Sequence, residues 1–143
     1  MMNNFFYFII KMFYLEDLDL DMNNKCLKED TVKNLKNQGY EIIVVMVKAQ
    51  WCGHCVHASP KFKEAFETIN NDKIAFCFAD ITGKRQSEKN LQGMTKDFFK
   101  DFRGFPNITC FSLKTGKELD KYNGDRSPES LKQYAIQQYS NNK

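Results

Sequence analysis

The sequence predicts an α/β domain with a central mixed β-sheet flanked by helices, on three observations. The runs EIIVVMVKA and KIAFCFAD are too continuously apolar to alternate, and so fit strands buried on both faces at the centre of a sheet. Between and after them the apolar spacing becomes helical. FPNITCFSL and KELDKYNG, joined at Thr115-Gly116, then read as a terminal hairpin. Strands alternating with helices before that hairpin give the order β-α-β-α-β-α-β-β-α.

Taken in order, the chain begins with MMNNFFYFIIKMFYL, in which six apolar residues precede Lys11. No Lys or Arg comes before that run and no A-x-A-like site follows it, and it is far shorter than the roughly 20 residues that span a bilayer. An edge strand within an N-terminal extension over residues 1–25 is expected, with an uncleaved anchor or leader as the alternative; residues 26–143 then form the domain. LEDLDLDMNNK is acidic and turn-like. KEDTVKNLKNQGY predicts a helix from about Glu29 to Gln38, closed by Gly39. After the first buried strand, Val56, Phe62, Phe66 and Ile69 recur at roughly helical period, so a helix is expected from Cys52 to about Thr68 with a kink at Pro60. The second strand is expected over Lys73 to Ala79. Leu91, Met94, Phe98, Phe99 and Phe102 are helix-spaced within SEKNLQGMTKDFFKDF, which is expected to be helical for part of its length. Ser127 as N-cap and Pro128 at the first helical position open a last helix, with Leu131, Tyr134 and Ala135 on one face.

A chain of 143 residues has room for one domain. At that size folding buries roughly 68–70% of the surface exposed in the unfolded chain, so a core without disulfide staples is attainable. Hydrophobic residues at 42% supply it, and 27% charged residues of both signs form an ordinary solvated surface. Net charge is only +3, and no Lys/Arg stripe interleaves with aromatics, so no nucleic-acid partner is expected. Lysine outnumbers arginine 18 to 3, and Asn recurs in pairs, a bias that fits an AT-rich genome such as that of a large DNA virus or some protists. The C-terminal YSNNK carries no retention or lipidation signal. The compartment stays open: cytoplasm or virus particle if the source is viral, a secretory compartment if the N-terminus acts as a leader.

Five cysteines, with only Cys52 and Cys55 close together, do not make the framework of a small secreted domain. Cys77 and Cys110 lie in apolar strand-like runs and read as small buried hydrophobes. Cys26 lies in a polar stretch and reads as an exposed thiol without an assigned role. The informative pair stands in VVMVKAQWCGHCVHASPKF, beside the one tryptophan and both histidines. Structural zinc would need four ligands. Cys52, Cys55 and His57 leave a fourth to be found, and His54 lies between the cysteines, so no metal is expected. Thiol chemistry fits better. A C-x-x-C that follows a strand and opens a helix puts Cys52 at the helix N-terminus, where free N–H groups and the dipole favour a thiolate. Cys55 falls one turn further along the same face, shielded yet close enough to resolve a mixed disulfide at Cys52.

Trp-Cys-Gly-His-Cys, Pro60 five positions after Cys55, and RGFPN about fifty residues later resemble the thioredoxin superfamily, of the protein disulfide isomerase type. The resemblance runs from roughly Thr31 to Tyr139, including the closing YNGDRSPESLKQY. It implies a thioredoxin fold and a thiol–disulfide oxidoreductase whose catalytic residues are Cys52, Cys55 and His54, with no bound cofactor beyond the redox-active Cys52–Cys55 disulfide. It implies protein thiol and disulfide substrates, with a sulfhydryl oxidase or a thiol reductase as redox partner. A thioredoxin-like reductant, or a binding module that retains the fold with weak turnover, is the alternative. Pro106 is implied to be a cis-proline facing the cysteines, with the Phe105 backbone beside a substrate strand; Trp51 and Gly53 shape the loop. Arg126 resembles the arginine that such domains swing toward the second cysteine. A protonated His54 beside the Cys52 thiolate would make the disulfide more oxidising. Potentials of about −270 mV for thioredoxin and about −180 mV for disulfide isomerase differ by roughly 4 kcal/mol. A helix terminus contributes only about 0.3–2 kcal/mol and is common to both types. His57 is read as exposed on the helix.

Several positions depart from the family pattern. Met46 stands where the family has a buried Asp or Glu that relays the proton of the second cysteine, so slower resolution is expected. Lys48 replaces a usual aromatic on the same strand face, either lowering the Cys52 pKa or snorkelling to solvent. Asn107 follows Pro106 where Thr is usual. The segment between Asp80 and Pro106 is longer than is typical, and TGKRQSEKNLQG reads as a surface insertion.

Overall fold

A computed structural model describes residues 12–143. Its strands are β1 (Phe13–Tyr14), β2 (Leu20–Asp21), β3 (Cys26–Leu27), β4 (Ile42–Lys48), β5 (Ile74–Asp80), β6 (Asn107–Ser112) and β7 (Glu118–Lys121). Its α-helices are α1 (Glu29–Asn37), α2 (Gly53–Thr68), α3 (Gln86–Phe98) and α4 (Pro128–Asn141), and a short 3-10 helix covers Asp17–Asp19. Five strands form one sheet in the order β1-β5-β4-β6-β7. β1, β5 and β4 run parallel, and β6 and β7 add antiparallel.

The continuous apolar runs earn their central places by burying both faces. Ile43, Val45 and Val47 of β4 join Ala75, Cys77 and Ala79 of β5 on the side covered by Leu35 of α1 and by Leu91 and Phe98 of α3. Ile42, Val44 and Met46 join Ile74, Phe76 and Phe78 on the other side, under Cys55, Phe62 and Ala65 of α2 and Leu131 and Ala135 of α4. The fully buried Phe62 ring meets Phe76 at 5.2 Å and Phe78 at 5.3 Å, which fastens α2 to the sheet.

The ends of the elements follow local chemistry. Gly39 takes φ +95° just past α1, the left-handed turn that stops a helix without steric cost. Gly116 takes φ +76° in the β6–β7 turn, where a Cβ would sit 3.1 Å from the Leu27 carbonyl oxygen. Ser127 caps α4 by accepting from the Ser130 N–H at 3.2 Å, with Pro128 following. Pro60 lies inside α2, which is continuous through it to Thr68.

Three sequence expectations need adjusting. The edge strand falls on Phe13–Tyr14, while the apolar run of residues 5–10, whether strand, anchor or leader, lies outside the described residues. Leu15 and Leu20 are core residues, so residues 12–25 pack with the domain rather than standing apart from it. The supposed surface insertion is largely α3, whose Leu91, Thr95 and Phe98 face inward and whose N-terminal turn is tied down by Glu88. Among the described residues, no helix is long and apolar enough to cross a membrane.

Candidate active site

The site is built where β4 ends and α2 begins. Cys52 is the N-cap of α2, and its Sγ accepts a hydrogen bond from the Cys55 N–H at 3.2 Å. This N–H is among those left without an intrahelical partner in the first turn, so the sulfur satisfies it and would gain its support as a thiolate. Cys52 and Cys55 are joined as a disulfide with Cα atoms 5.2 Å apart. Cys52 is half-buried while Cys55 is only 1% exposed. Cys52 is thus the more accessible of the two residues.

Around the pair stand the other residues singled out in the sequence. His54 and His57 are exposed on the first turns of α2. Gly53 is the first residue of the helix, and a Cβ there would meet nothing, so no steric demand explains it. The Phe105–Pro106 peptide bond is cis and precedes β6. Phe105 packs edge-on against Trp51 at 5.8 Å and against Phe102 at 5.1 Å, which links the proline loop to the cysteine loop. Asn107 is buried and donates from Nδ2 to Thr109 Oγ1 at 3.1 Å. Arg126 is exposed and lines the same cleft as His54 and His57.

Lys48, Asp80 and Thr82 take roles the sequence did not define. Lys48 is engaged by Asp80, its Nζ 3.4 Å from Oδ2 with both side chains 15% exposed, and it also lies 5.0 Å above the Phe78 ring. It is therefore neither free at the strand end nor hydrogen-bonded to a cysteine. The register that pairs Lys48 with Asp80 also pairs Met46 with Phe78, so the relay position is wholly apolar and Met46 packs in the same cluster as Cys55. Asp80 and Thr82 were missed. Asp80 Oδ1 accepts from the Thr82 N–H at 2.9 Å and from its hydroxyl at 2.5 Å. Thr82 in turn accepts the Gln50 N–H on Oγ1 at 2.9 Å and the Trp51 Nε1–H on its carbonyl at 3.2 Å. Burial would push the Asp80 carboxyl up, but the Thr82 hydrogen bonds and the Lys48 cation hold it below the usual carboxylate range. The Asp-x-Thr turn was visible in the sequence as a local signal. Its partners across the sheet were not.

The remaining thiols are chemically quiet. Burial pushes Cys77 well above the ordinary thiol range and raises Cys110 as well. Cys26 is half-buried in β3 rather than exposed, and desolvation together with Asp21 raises it too. Among the described residues, no three His, Cys, Asp or Glu side chains gather as a metal site.

The thioredoxin family profile matches residues 23–137. The chain belongs to the thioredoxin family. A protein disulfide-isomerase of Medicago sativa is 29% identical over 109 residues, a match that covers 76% of this chain and 19% of that protein. The chain thus spans about one-fifth of that relative's length. Among solved structures, the zinc-bound form of human ERp44 superposes with a TM-score of 0.58 at 21% identity, covering 89% of this chain and 31% of that one. A mutant thioredoxin from Halobacterium salinarum superposes with a TM-score of 0.57 at 15% identity, over 90% and 91% of the two chains. These structural likenesses carry the thioredoxin fold.

Proposed function

We propose that this thioredoxin-family chain is a thiol–disulfide oxidoreductase of the protein disulfide isomerase type, acting on protein thiols and disulfides. The observation that carries the reading is the disulfide between the partly buried Cys52 at the N-cap of α2 and the shielded Cys55. In the oxidising direction a substrate thiolate attacks Cys52 Sγ, the intramolecular disulfide breaks, and Cys55 leaves as a thiolate. A second substrate thiolate then attacks the substrate sulfur of the mixed disulfide and releases Cys52. Two electrons pass from substrate to protein. The reducing direction is the reverse, with Cys55 attacking Cys52 Sγ to expel the substrate thiolate.

Each neighbour has a task in this scheme. The positively charged form of His54 favours the Cys52 thiolate over the disulfide, which makes the pair more oxidising. Phe105 and Pro106 form the platform for an extended substrate segment, and Trp51 braces it from the other side. Arg126 is near enough to His54, across one cleft, to add positive charge to the same region. A sulfhydryl oxidase or a thiol reductase renews the redox state, and no bound cofactor takes part. Met46 favours a second reading: without a carboxylate beside Cys55 to take its proton, turnover is slow and the domain serves mainly to hold thiol substrates.

Trapping tests the catalytic reading. Cys55→Ala incubated with a disulfide-bonded peptide should accumulate a covalent adduct at Cys52, visible by intact mass, while Cys52→Ala should accumulate none. Absence of an adduct with the first variant would overturn the catalytic reading.

A further inference from the structure

On the reading of the chain as an oxidoreductase, we propose that it prefers protein substrates whose reactive cysteine is flanked by acidic residues, which a basic cleft beside the cis-proline receives. Two hollows adjoin there. One, of about 190 Å³, is walled by Phe105 and Pro106 together with Arg103, Lys121 and Arg126. The other, of about 310 Å³, is walled by His54, His57, Lys61, Asp125 and again Arg126. Gly124 and Arg126 belong to both walls, so the hollows meet along one rim that leads from the substrate platform to the histidine face of α2.

The charge of this rim is one-sided. Arg103, Lys121, Arg126 and Lys61 are fixed cations, and the histidines can add to them; Asp125 is the one carboxylate in either wall. Asp125 is already committed, because its oxygens accept from the Ser127 N–H at 2.9 Å and the Ser130 hydroxyl at 3.1 Å. Lys121 is held by a 2.6 Å hydrogen bond to the Asp101 carbonyl, which fixes its ammonium at the rim without neutralising it. Among the described residues, neither Arg103 nor Arg126 is in an ion pair; the salt-bridged arginine is Arg85, on the α3 side. A chain with 18 Lys and 3 Arg thus has two of its arginines on this rim. Arginine offers a planar fork that binds a carboxylate through two parallel hydrogen bonds, which a lysine cannot do.

The occupant must bring a sulfur to Cys52, and this commits the cleft to a polypeptide rather than to a free anion. A segment laid along Phe105 and Pro106 would set its residues to one side of the cysteine over Arg103, Lys121 and Arg126, and would leave the exposed Trp51 for apolar contact on the other. Clefts lined by one sign of charge concentrate oppositely charged partners and speed their encounter, an effect that salt removes.

The test uses the reduced full chain and three synthetic peptides with one intramolecular disulfide each, identical except that the flanking residues are Glu, Gln or Lys. Second-order rates of peptide reduction are read by stopped flow through the single tryptophan, at low and at high salt. The acidic peptide should react about tenfold faster than the basic one at low salt, and the gap should fall to about twofold at high salt. Arg103→Glu and Lys61→Glu, both at exposed positions, should each narrow the gap, and the double variant should reverse the order. Rates within twofold of one another at low salt, or an order that the double variant leaves intact, would overturn the preference while the oxidoreductase reading stands. Failure to reduce any peptide would overturn that reading instead. Peptides with Ser in place of Cys, titrated against Trp51 fluorescence, then decide the cleft by themselves: tighter binding of the acidic form sustains it and equal binding ends it.

Discussion

Replacing Asp80 by Ala removes the acceptor that ties β4, β5 and the cysteine loop together. The carboxylate accepts two hydrogen bonds from Thr82 and pairs with Lys48, and neither Lys48 nor Asp80 is more than 15% exposed in its side chain. Hydrogen bonds to a charged group contribute about 1.5–3 kcal/mol each, and an ion pair near the surface adds up to about 1 kcal/mol. Thr82 sits at the loop surface and recovers part of this from water, so a loss of about 3 kcal/mol at pH 7 is expected. For a chain of this size that is roughly 6–12 °C in Tm. The pH dependence has a definite sign. Because the folded-state carboxyl lies below its ordinary value of 3.8, its stabilisation is complete above that value and is lost as pH falls through the folded pKa. The gap between wild type and Asp80→Ala should therefore be constant between pH 7 and about 5 and shrink below about 4. Urea titrations of both oxidised proteins at several pH values measure it. A gap under about 1 kcal/mol at pH 7, or one that persists undiminished in acid, would refute the role given to Asp80.

Other outcomes follow from the same geometry. Met46→Glu, which puts a carboxylate in the cluster beside Cys55, should speed release of substrate from the Cys52 adduct at least tenfold, since general bases contribute about 10²–10⁴. It should also destabilise the fold by about 3 kcal/mol, because the position is fully buried; quenched-flow and urea titration report the two effects. His54→Ala should make the disulfide more reducing by about 30–60 mV in glutathione buffers, corresponding to roughly 1.4–2.8 kcal/mol less support for the thiolate. Phe62→Ala should cost about 3–5 kcal/mol by emptying the contact between α2 and the sheet, and a loss below about 2 kcal/mol would mean that α2 is held mainly by other contacts.

What was legible in the sequence was local. The two central strands declared themselves because burial on both faces leaves no polar residue before the last one of each run, and Cys52 at the start of α2 followed from a strand meeting a helix at C-x-x-C. Ser127 and Gly116 were legible for the same reason: a cap and a tight turn are chosen by residues adjacent in sequence. What escaped depends on partners far along the chain. β1 and the β2–β3 pair are two residues per strand, too short for any period, and β1 exists through its pairing with β5. α3 was legible as a helix from its spaced Leu91, Met94 and Phe98, but TGKRQSEKNLQG read as surface because Lys, Glu and Asn crowd its outer face, while the buried stripe of Leu91, Thr95 and Phe98 is narrow. The Lys48–Asp80 pair required the register of β4 on β5, which places the two residues side by side on neighbouring strands.

The central claim is that Cys52 and Cys55 form a disulfide poised to exchange with protein substrates, and the equilibrium reduction potential of that pair tests it most directly. Cys26, Cys77 and Cys110 are first replaced by Ser or Ala, and the protein is then titrated against glutathione buffers. The account predicts a value between about −180 and −230 mV, set by His54 and the helix terminus. A value near −270 mV would contradict the oxidising role and favour a reductant, and a pair that never forms a disulfide would contradict the catalytic account altogether.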